Sequence, residues 1–496
     1  MRYILIFLLA FNSINLSNAQ DVKDRLTIEE KSFTSASGQK VMAEVGSLEV
    51  PENRNNPNSK NISIHFIRLK STNPNPKTPL IYLEGGPGSS ATWQAGNKHY
   101  LEKWLPYLEL NDVILLDQRG TGAGTERVLY IWRKNIPENI FSDPEVTKQH
   151  FESVGNEALV DFKKREVDLN GYTTVENAKD IDALRKALGY EKISLLGFSY
   201  GTHLGQAYIR YYDKYVQNAI LVGVEGPNHT FKLPLAMDIQ FQKIALLAKE
   251  DTNVSREVPD LIALYKRVCQ KLDKKPITVE VISPLTNSPM KVKVSSYGLN
   301  LMLRFDIGDA SDIPVFPRLL YSIDQGDYSM LQWFVQKRIR VVFGVHGMSA
   351  TMDAASGASS DRIDRIKKEN EKSMFKNIAN FSMGTFWPAP DLGEEFRAPL
   401  SSNTRTLFMS GTLDFNTPPH QAEEVRWGFS NSNHIIVKGA GHEQILTHPE
   451  AEKTIIRFLK GENVDDVALF YPRLQFIPIK GDTGELWHPS MGERSK

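Results

Sequence analysis

Gly197-Phe198-Ser199-Tyr200-Gly201 follows the apolar run Ile193-Ser194-Leu195-Leu196 and opens a segment of helical spacing, Thr202 to Tyr212. A strand, a sharp turn and a helix in that order leave no room for side chains at the two glycines. They also leave the Ser199 hydroxyl standing above the ends of a sheet, the position a nucleophile needs.

Outward from this bend, strand and helix patterns alternate. Val41 to Val50, Ile62 to Leu69 and Pro79 to Leu83 are β-branched, alternating segments, separated by turn-rich stretches at Pro51 to Asn58 and Asn73 to Pro79. They read as an antiparallel approach to a sheet. Val113-Ile114-Leu115-Leu116 is a continuous apolar run, as in a strand buried on both faces. Val175 to Leu188 is an amphipathic helix with Ala178, Ile181, Leu184 and Leu188 on one side, Thr173 or Thr174 as N-cap and Gly189 just past its end. A further buried strand is expected at Ala219 to Val224. This alternation predicts an α/β fold with a mostly parallel sheet and helices on both faces.

The rhythm breaks from about Asn228 to Pro399, where helical stretches are expected near Ile239–Lys249, Val258–Leu272 and Ile313–Val345. Met348 to Ser360, rich in Gly, Ser, Ala and Met, reads as a mobile loop. Strand patterns return at Thr406–Met409 and His434–Val437, and Ala451 to Leu459 closes with a helix. The expected layout is a signal segment over 1–19, sheet domain over 20–227, a large, mainly helical cap over 228–399, the rest of the sheet domain over 400–460, and a C-terminal extension over 461–496.

Of the 496 residues 41% are hydrophobic, enough for a large core. The 59 Lys and Arg balance the 59 Asp and Glu, and no dense basic block occurs, which argues against nucleic acid or an anionic membrane surface as partner. Arg2, the apolar stretch Ile4 to Phe11 and Ser17-Asn18-Ala19 before Gln20 form an export signal, with cleavage expected near Ala19-Gln20 and a periplasmic or secreted product. No segment has the length of an integral membrane span. Cys269 is the single cysteine, so no intrachain disulfide can form, and an inert buried thiol is expected there. Neither cysteine clusters nor an H-E-x-x-H arrangement occurs, so no metal or cofactor is expected.

A serine nucleophile needs a general base and an acid that fixes the base's tautomer, in the chain order Ser, Asp, His when the fold is that of an α/β-hydrolase. Ser410-Gly411-Thr412-Leu413-Asp414 places Asp414 beyond a strand end, and Gly439-Ala440-Gly441-His442 brings His442 over the sheet on small residues. The expected triad is Ser199, Asp414 and His442, with the cap inserted before the Asp-bearing strand. His203 shares the nucleophile's own helix, while His420 and His448 lack the glycine-flanked setting. Two backbone N–H groups are expected to hold the oxyanion: Tyr200, at a helix N-terminus, and Gly86, in Glu84-Gly85-Gly86-Pro87-Gly88 after the strand Pro79–Leu83.

Gly85-Gly86-Pro87-Gly88, Asp117-Gln118-Arg119-Gly120-Thr121-Gly122 and Gly197-Phe198-Ser199-Tyr200-Gly201-Thr202 together resemble the prolyl iminopeptidase and tripeptidyl aminopeptidase group of α/β-hydrolase serine peptidases. The similarity runs from about Gly46 to Val224 and from Thr406 to Leu459. It implies an exopeptidase that acts on peptide substrates and removes one or a few residues from their N-termini, with Ser199, Asp414 and His442 matching the triad and Gly86 and Tyr200 the oxyanion donors. Two motifs depart from the prolyl iminopeptidase pattern: Glu84 stands where His commonly precedes G-G-P-G, and G-F-S-Y-G replaces G-G-S-W-G. An aminopeptidase must hold a protonated amine, and Glu84 and Glu225, both at strand ends, are the candidates. Arg119 is expected to brace its loop by pairing with a carboxylate. A carboxylesterase using the same triad and a non-catalytic binding protein on this scaffold are the alternatives.

Overall fold

The computed structural model describes residues 25–122, 130–133, 135–381 and 387–481. The expected signal segment lies outside them. The strands are β1 (Leu26–Thr34), β2 (Lys40–Pro51), β3 (Asn61–Leu69), β4 (Lys77–Leu83), β5 (Asn111–Leu116), β6 (Tyr130–Trp132), β7 (Ile193–Phe198), β8 (Val216–Val222), β9 (Ile277–Ile282), β10 (Pro289–Val294), β11 (Gly344–His346), β12 (Arg405–Gly411) and β13 (Ser432–Val437). Nine of them form one sheet in the order β1-β2-β3-β5-β4-β7-β8-β12-β13. The first three pairings are antiparallel and the remaining five parallel.

Side chains alternate across the parallel strands, so both faces need cover. Ile193 and Leu195 of β7 enter one apolar cluster with the helices Thr174–Ala187 and Tyr200–Tyr212. Leu196 and Phe198 enter the other, with the helices Lys98–Leu108 and Ala451–Lys460. Thr173 caps the helix Thr174–Ala187 by accepting from the Glu176 N–H, as its position predicts. The edge strand β1 escapes the sequence reading because it is almost wholly exposed and carries Glu29, Glu30 and Lys31 where a half-buried strand would alternate.

Between β8 and β12 the chain builds most of a further apolar core, distinct from the two on the sheet faces. It is helical in the main but not throughout: β9 and β10 form an antiparallel hairpin whose Val279, Val281, Val292 and Val294 are buried, and β11 pairs with β6. The stretch expected as one amphipathic segment from Ile313 to Val345 is divided. Gly326, at φ 86°, ends the helix Phe316–Gln325, and a separate helix Ser329–Arg338 follows. Residues from before the insertion share this core, Ile140, Phe141 and Phe151 among them.

The C-terminal extension ties this core to the sheet. Val464 and Leu469 pack with the sheet, where the Lys438 N–H donates to the Leu469 carbonyl (2.9 Å) and the Tyr471 N–H to that of Lys438 (2.8 Å). Phe476, Ile477 and Ile479 are buried in the core of the insertion. Arg473 pairs with Glu250 (2.8 Å), Lys480 with Glu257 (2.5 Å), and the Arg318 guanidinium donates to the Pro478 carbonyl (2.9 Å). Among the described residues, no helix is long and apolar enough to cross a membrane.

Candidate active site

Ser199 sits between β7 and the helix Tyr200–Tyr212 at φ 54°, ψ −122°, a conformation costly for a residue with a side chain. Its N–H donates to the Val222 carbonyl (2.9 Å), which fastens the bend to the neighbouring strand. A Cβ on Gly197 would lie 2.5 Å from the Gly201 carbonyl oxygen, and one on Gly201 only 1.9 Å from that of Leu83. Both glycines are therefore steric necessities. Ser199 Oγ makes no hydrogen bond among the described residues. A nucleophile's contact to its base is often long before substrate arrives.

Asp414 and His442 meet at the ends of β12 and β13. His442 Nδ1 lies 2.8 Å from Asp414 Oδ2, both groups buried, and the ring of Phe198 packs against the imidazole at 4.9 Å between centroids. Asp414 also accepts from the Thr417 N–H (3.0 Å) and from Thr417 Oγ1 (2.5 Å), a hydroxyl 3.1 Å from His442 Nδ1. Burial would raise the Asp414 carboxyl, but the His442 imidazole and the Thr417 donors outweigh it and hold it below its ordinary value. Burial would likewise lower His442, and the Asp414 charge and hydrogen bond reverse that to a net rise. The small residues let two loops touch. A Cβ on Gly411 would lie 2.4 Å from the Ala440 carbonyl oxygen, and the His442 N–H donates into the insertion at the Gly308 carbonyl (2.7 Å).

The Gly-rich loop after β4 lies against the bend: a Cβ on Gly85 would be 3.1 Å from Ser199 Cβ. Among the described residues neither the Gly86 nor the Tyr200 N–H finds an acceptor in the loops, and first-turn N–H groups lack intrahelical partners in any helix. The Asp117-Gln118-Arg119 motif holds this loop in shape. Asp117 Oδ1 accepts from the N–H groups of Ala91 (2.7 Å) and Thr92 (3.0 Å), and Gln118 Nε2 donates to the Glu84 carbonyl (2.8 Å). Arg119, 1% exposed, makes two 2.8 Å bonds to the Asp180 carboxylate and donates to the carbonyls of Glu52 and Gly171. The bracing role expected for Arg119 is what the side chain performs.

Met348 to Ser360, expected as a mobile loop, is instead largely the helix Gly347–Ser356. Its small residues mask an ordinary amphipathic pattern in which Met348, Met352 and Ala355 are fully buried. His346 caps it by accepting from the Ser349 N–H, and Ser349 Oγ donates to the Pro87 carbonyl, seating the helix on the Gly-rich loop. Beside it a cavity of about 250 Å³ is lined by Phe231, Phe305, His346, Ser349, Asp353 and Trp387, among others. Burial leaves His346 neutral, at about 4. The Asp353 carboxylate has no hydrogen bond or ion pair among the described residues, and burial, with the Glu225 charge, lifts it to about 8.

The two carboxylates singled out in the sequence lie in different surroundings. Glu225 is buried and paired with Lys232 (2.6 Å), near enough to Asp353 to raise it. Burial would raise Glu225 too, but Lys232 and His203 keep it below its ordinary value. Glu84 faces a separate pocket, where it accepts from the Gly85 N–H (3.0 Å), Tyr82 Oη (3.1 Å) and Gln94 Nε2 (2.7 Å). Of the competing histidines, His203 bonds the Gly226 carbonyl and Ser356 Oγ, His420 is exposed, and His448 bonds the Phe470 carbonyl. Cys269 is half-buried, its thiol pushed up to about 11 by burial. Sequence reasoning missed Thr417 and Asp353. Thr417 had a faint signal, an Asp three residues before it in a turn; Asp353 had none.

The chain belongs to the alpha/beta hydrolase fold family, whose pattern it matches over residues 78–449. Over 194 residues it is 32% identical to serine protease Hip1 of Mycobacterium tuberculosis (strain ATCC 25618 / H37Rv), a match covering 37% of this chain and 36% of that protein. Over 208 residues it is 27% identical to tripeptidyl aminopeptidase of Streptomyces lividans, covering 40% of this chain and 38% of that one. Each match thus spans less than two fifths of the relative's length. Among solved structures, the proline iminopeptidase-related protein of Thermus thermophilus is 15% identical with a TM-score of 0.37, covering 84% of this chain and 96% of that one.

Proposed function

We propose that this protein is an exported serine exopeptidase that removes residues from peptide N-termini, of the prolyl- or tripeptidyl-aminopeptidase type. The observation that carries the reading is the buried Asp414–His442 pair, set at adjacent strand ends beside a strained Ser199 whose hydroxyl is free of hydrogen bonds among the described residues. In this reading His442 Nε2 takes the Ser199 proton as Oγ attacks the scissile carbonyl. Asp414 holds the tautomer and stabilises the imidazolium. The Gly86 and Tyr200 N–H groups receive the oxyanion. His442 then protonates the leaving amine, and water releases the acyl group by the same route in reverse.

The named relatives, a serine protease and a tripeptidyl aminopeptidase, support a peptide substrate over a simple ester. The cavity of about 250 Å³ supports an exopeptidase, because it is small and carries a carboxylate with no partner among the described residues. Asp353, with Glu225 behind it, would hold the α-ammonium and so set how many residues fit between that anchor and Ser199. Glu84, facing elsewhere, stands apart from this anchor. Export rests on the segment Arg2 to Ala19 and is checked by the N-terminal sequence of the mature protein recovered from a cell fractionation.

The test of the chemistry is labelling with a fluorophosphonate probe, together with turnover of free and N-acetylated peptide amides. Wild type should label, Ser199→Ala should not, and Ser199→Ala should lose about 10⁴-fold or more in kcat/KM. Equal turnover of free and acetylated peptides would remove the exopeptidase reading, and preferential cleavage of short acyl esters would favour a carboxylesterase.

A further inference from the structure

Where the Gly-rich loop leaves β4 at Glu84 lies a pocket separate from the Asp353 cavity and larger, of about 510 Å³. Its walls are aromatic: Tyr82 and Trp104 meet edge to face at 5.0 Å, Trp104 and Tyr107 at 5.5 Å, and Trp93 and Tyr100 form the rim at 4.4 Å. Three carboxylates, Glu84, Glu443 and Glu452, line the same space. Glu443 and Glu452 have no ion pair or side-chain hydrogen bond among the described residues. Glu84 is fixed by three donors, and Gln94, one of them, also accepts from Trp104 Nε1 (3.0 Å), so wall and charge are one network. Among the described residues that line the pocket, Lys103 is the one ammonium, exposed and over the Tyr100 ring at 4.7 Å, and Lys453 acts on Glu452 from outside, so the lining carries three carboxylates to one ammonium.

Carboxylates that share a cavity repel one another until a cation comes between them, and aromatic faces attract the same cation. Both Glu84 and Glu452 are held above their ordinary values, burial being the main cause, and Glu443 adds to the rise at Glu84. The pocket also adjoins the reacting groups. Phe198, in its wall, stacks on His442, and Glu443 directly follows that histidine. In the mechanism proposed above that imidazole protonates the leaving amine, so a pocket whose wall it touches is placed to meet the departing peptide.

We propose that this pocket is a subsite for a basic side chain, Lys or Arg, on the first or second residue beyond the scissile bond. The assignment rests on the peptidase reading above and gives the enzyme a selectivity separate from the amine anchor.

The experiment measures kcat/KM for free-amine peptides carrying Arg, Lys, Gln or Glu at each of those two positions, with an aminoacyl 4-nitroanilide as a substrate that has no residue there. Binding of L-arginine amide to the wild-type protein is followed in parallel by tryptophan fluorescence. At one of the positions Arg and Lys should exceed Gln at least tenfold, and that ratio should fall at least fivefold in Glu452→Gln and in Trp93→Ala. Arginine amide should bind saturably and more weakly to both variants. If the anilide is cleaved and basic residues gain less than twofold at both positions, the proposal is overturned while the peptidase reading stands. If no peptide is cleaved but arginine amide still binds in a Glu452-dependent way, the cation site stands and the peptidase reading falls. Absence of both preference and saturable binding overturns the site outright.

Discussion

The strand-end loops and the inserted helices make opposite use of polar groups. In the loops the buried charged side chains are paired: Asp414 accepts from Thr417 and His442, Asp117 from the 90–92 turn, and Arg119 binds Asp180 and two carbonyls. In the helix Gly347–Ser356 the carboxylate that faces the cavity is left without a partner among the described residues. Satisfied groups give a fixed geometry, which reaction chemistry needs. An unsatisfied one gives affinity to whatever completes it, which selection of substrate needs.

That contrast can be broken at its strong end first. Asp414→Asn should keep the fold and lower kcat by about 10⁴-fold, because an amide holds the wrong imidazole tautomer. Loss of less than tenfold, read with a peptide amide, would mean that another group orients His442. Arg119→Met should cost about 2–4 kcal/mol of stability by removing two buried hydrogen bonds from the Asp180 carboxylate, which keeps Arg54 as its ion-pair partner, and the donor to the Glu52 and Gly171 carbonyls. Urea denaturation measures it, and a change under about 1 kcal/mol would show the brace to be dispensable.

At the weak end the effects are smaller. Asp353→Asn should raise KM for free-amine peptides roughly 10- to 100-fold, the loss of one charge-assisted contact, with little change for N-acetylated ones. Equal changes for both substrates would separate Asp353 from the amine. The pH dependence sharpens the comparison further. The acid limb of kcat/KM reports the neutral imidazole, so with His442 raised its midpoint should lie above the ordinary 6.5 and move down in Asp414→Asn. For stability the signs differ. The His442 contribution is full below 6.5 and lost as pH rises through its higher folded value. That of Asp414 is present above 3.8 and lost as pH falls through its lower folded value.

The same division decided what the sequence could reveal. Ser199, Asp414 and His442 stand on bends that admit only small neighbours, so Gly197, Gly201, Gly411 and Gly441 mark them in the chain. Buried strands such as β5 and β7 announce themselves by apolar runs, Val113 to Leu116 unbroken and Ile193 to Leu196 with one serine. Asp353 is marked by nothing local, since its meaning comes from where a helix lands. That helix itself read as a loop because Ala and Ser replace the large side chains that usually reveal an apolar stripe. Glu84 looked like an amine ligand from its place after β4, but alternation along that strand turns it toward Tyr82 and Trp104.

The C-terminal extension has a mechanical consequence. A lid attached by two neighbouring hinges can swing. The insertion between β8 and β12 is held a third time, by Phe476, Ile477 and Ile479, which are buried in its core. Any swing of the whole insertion away from the sheet would have to draw those three side chains out of their apolar surroundings, so the two parts are coupled more tightly than their chain connections alone require.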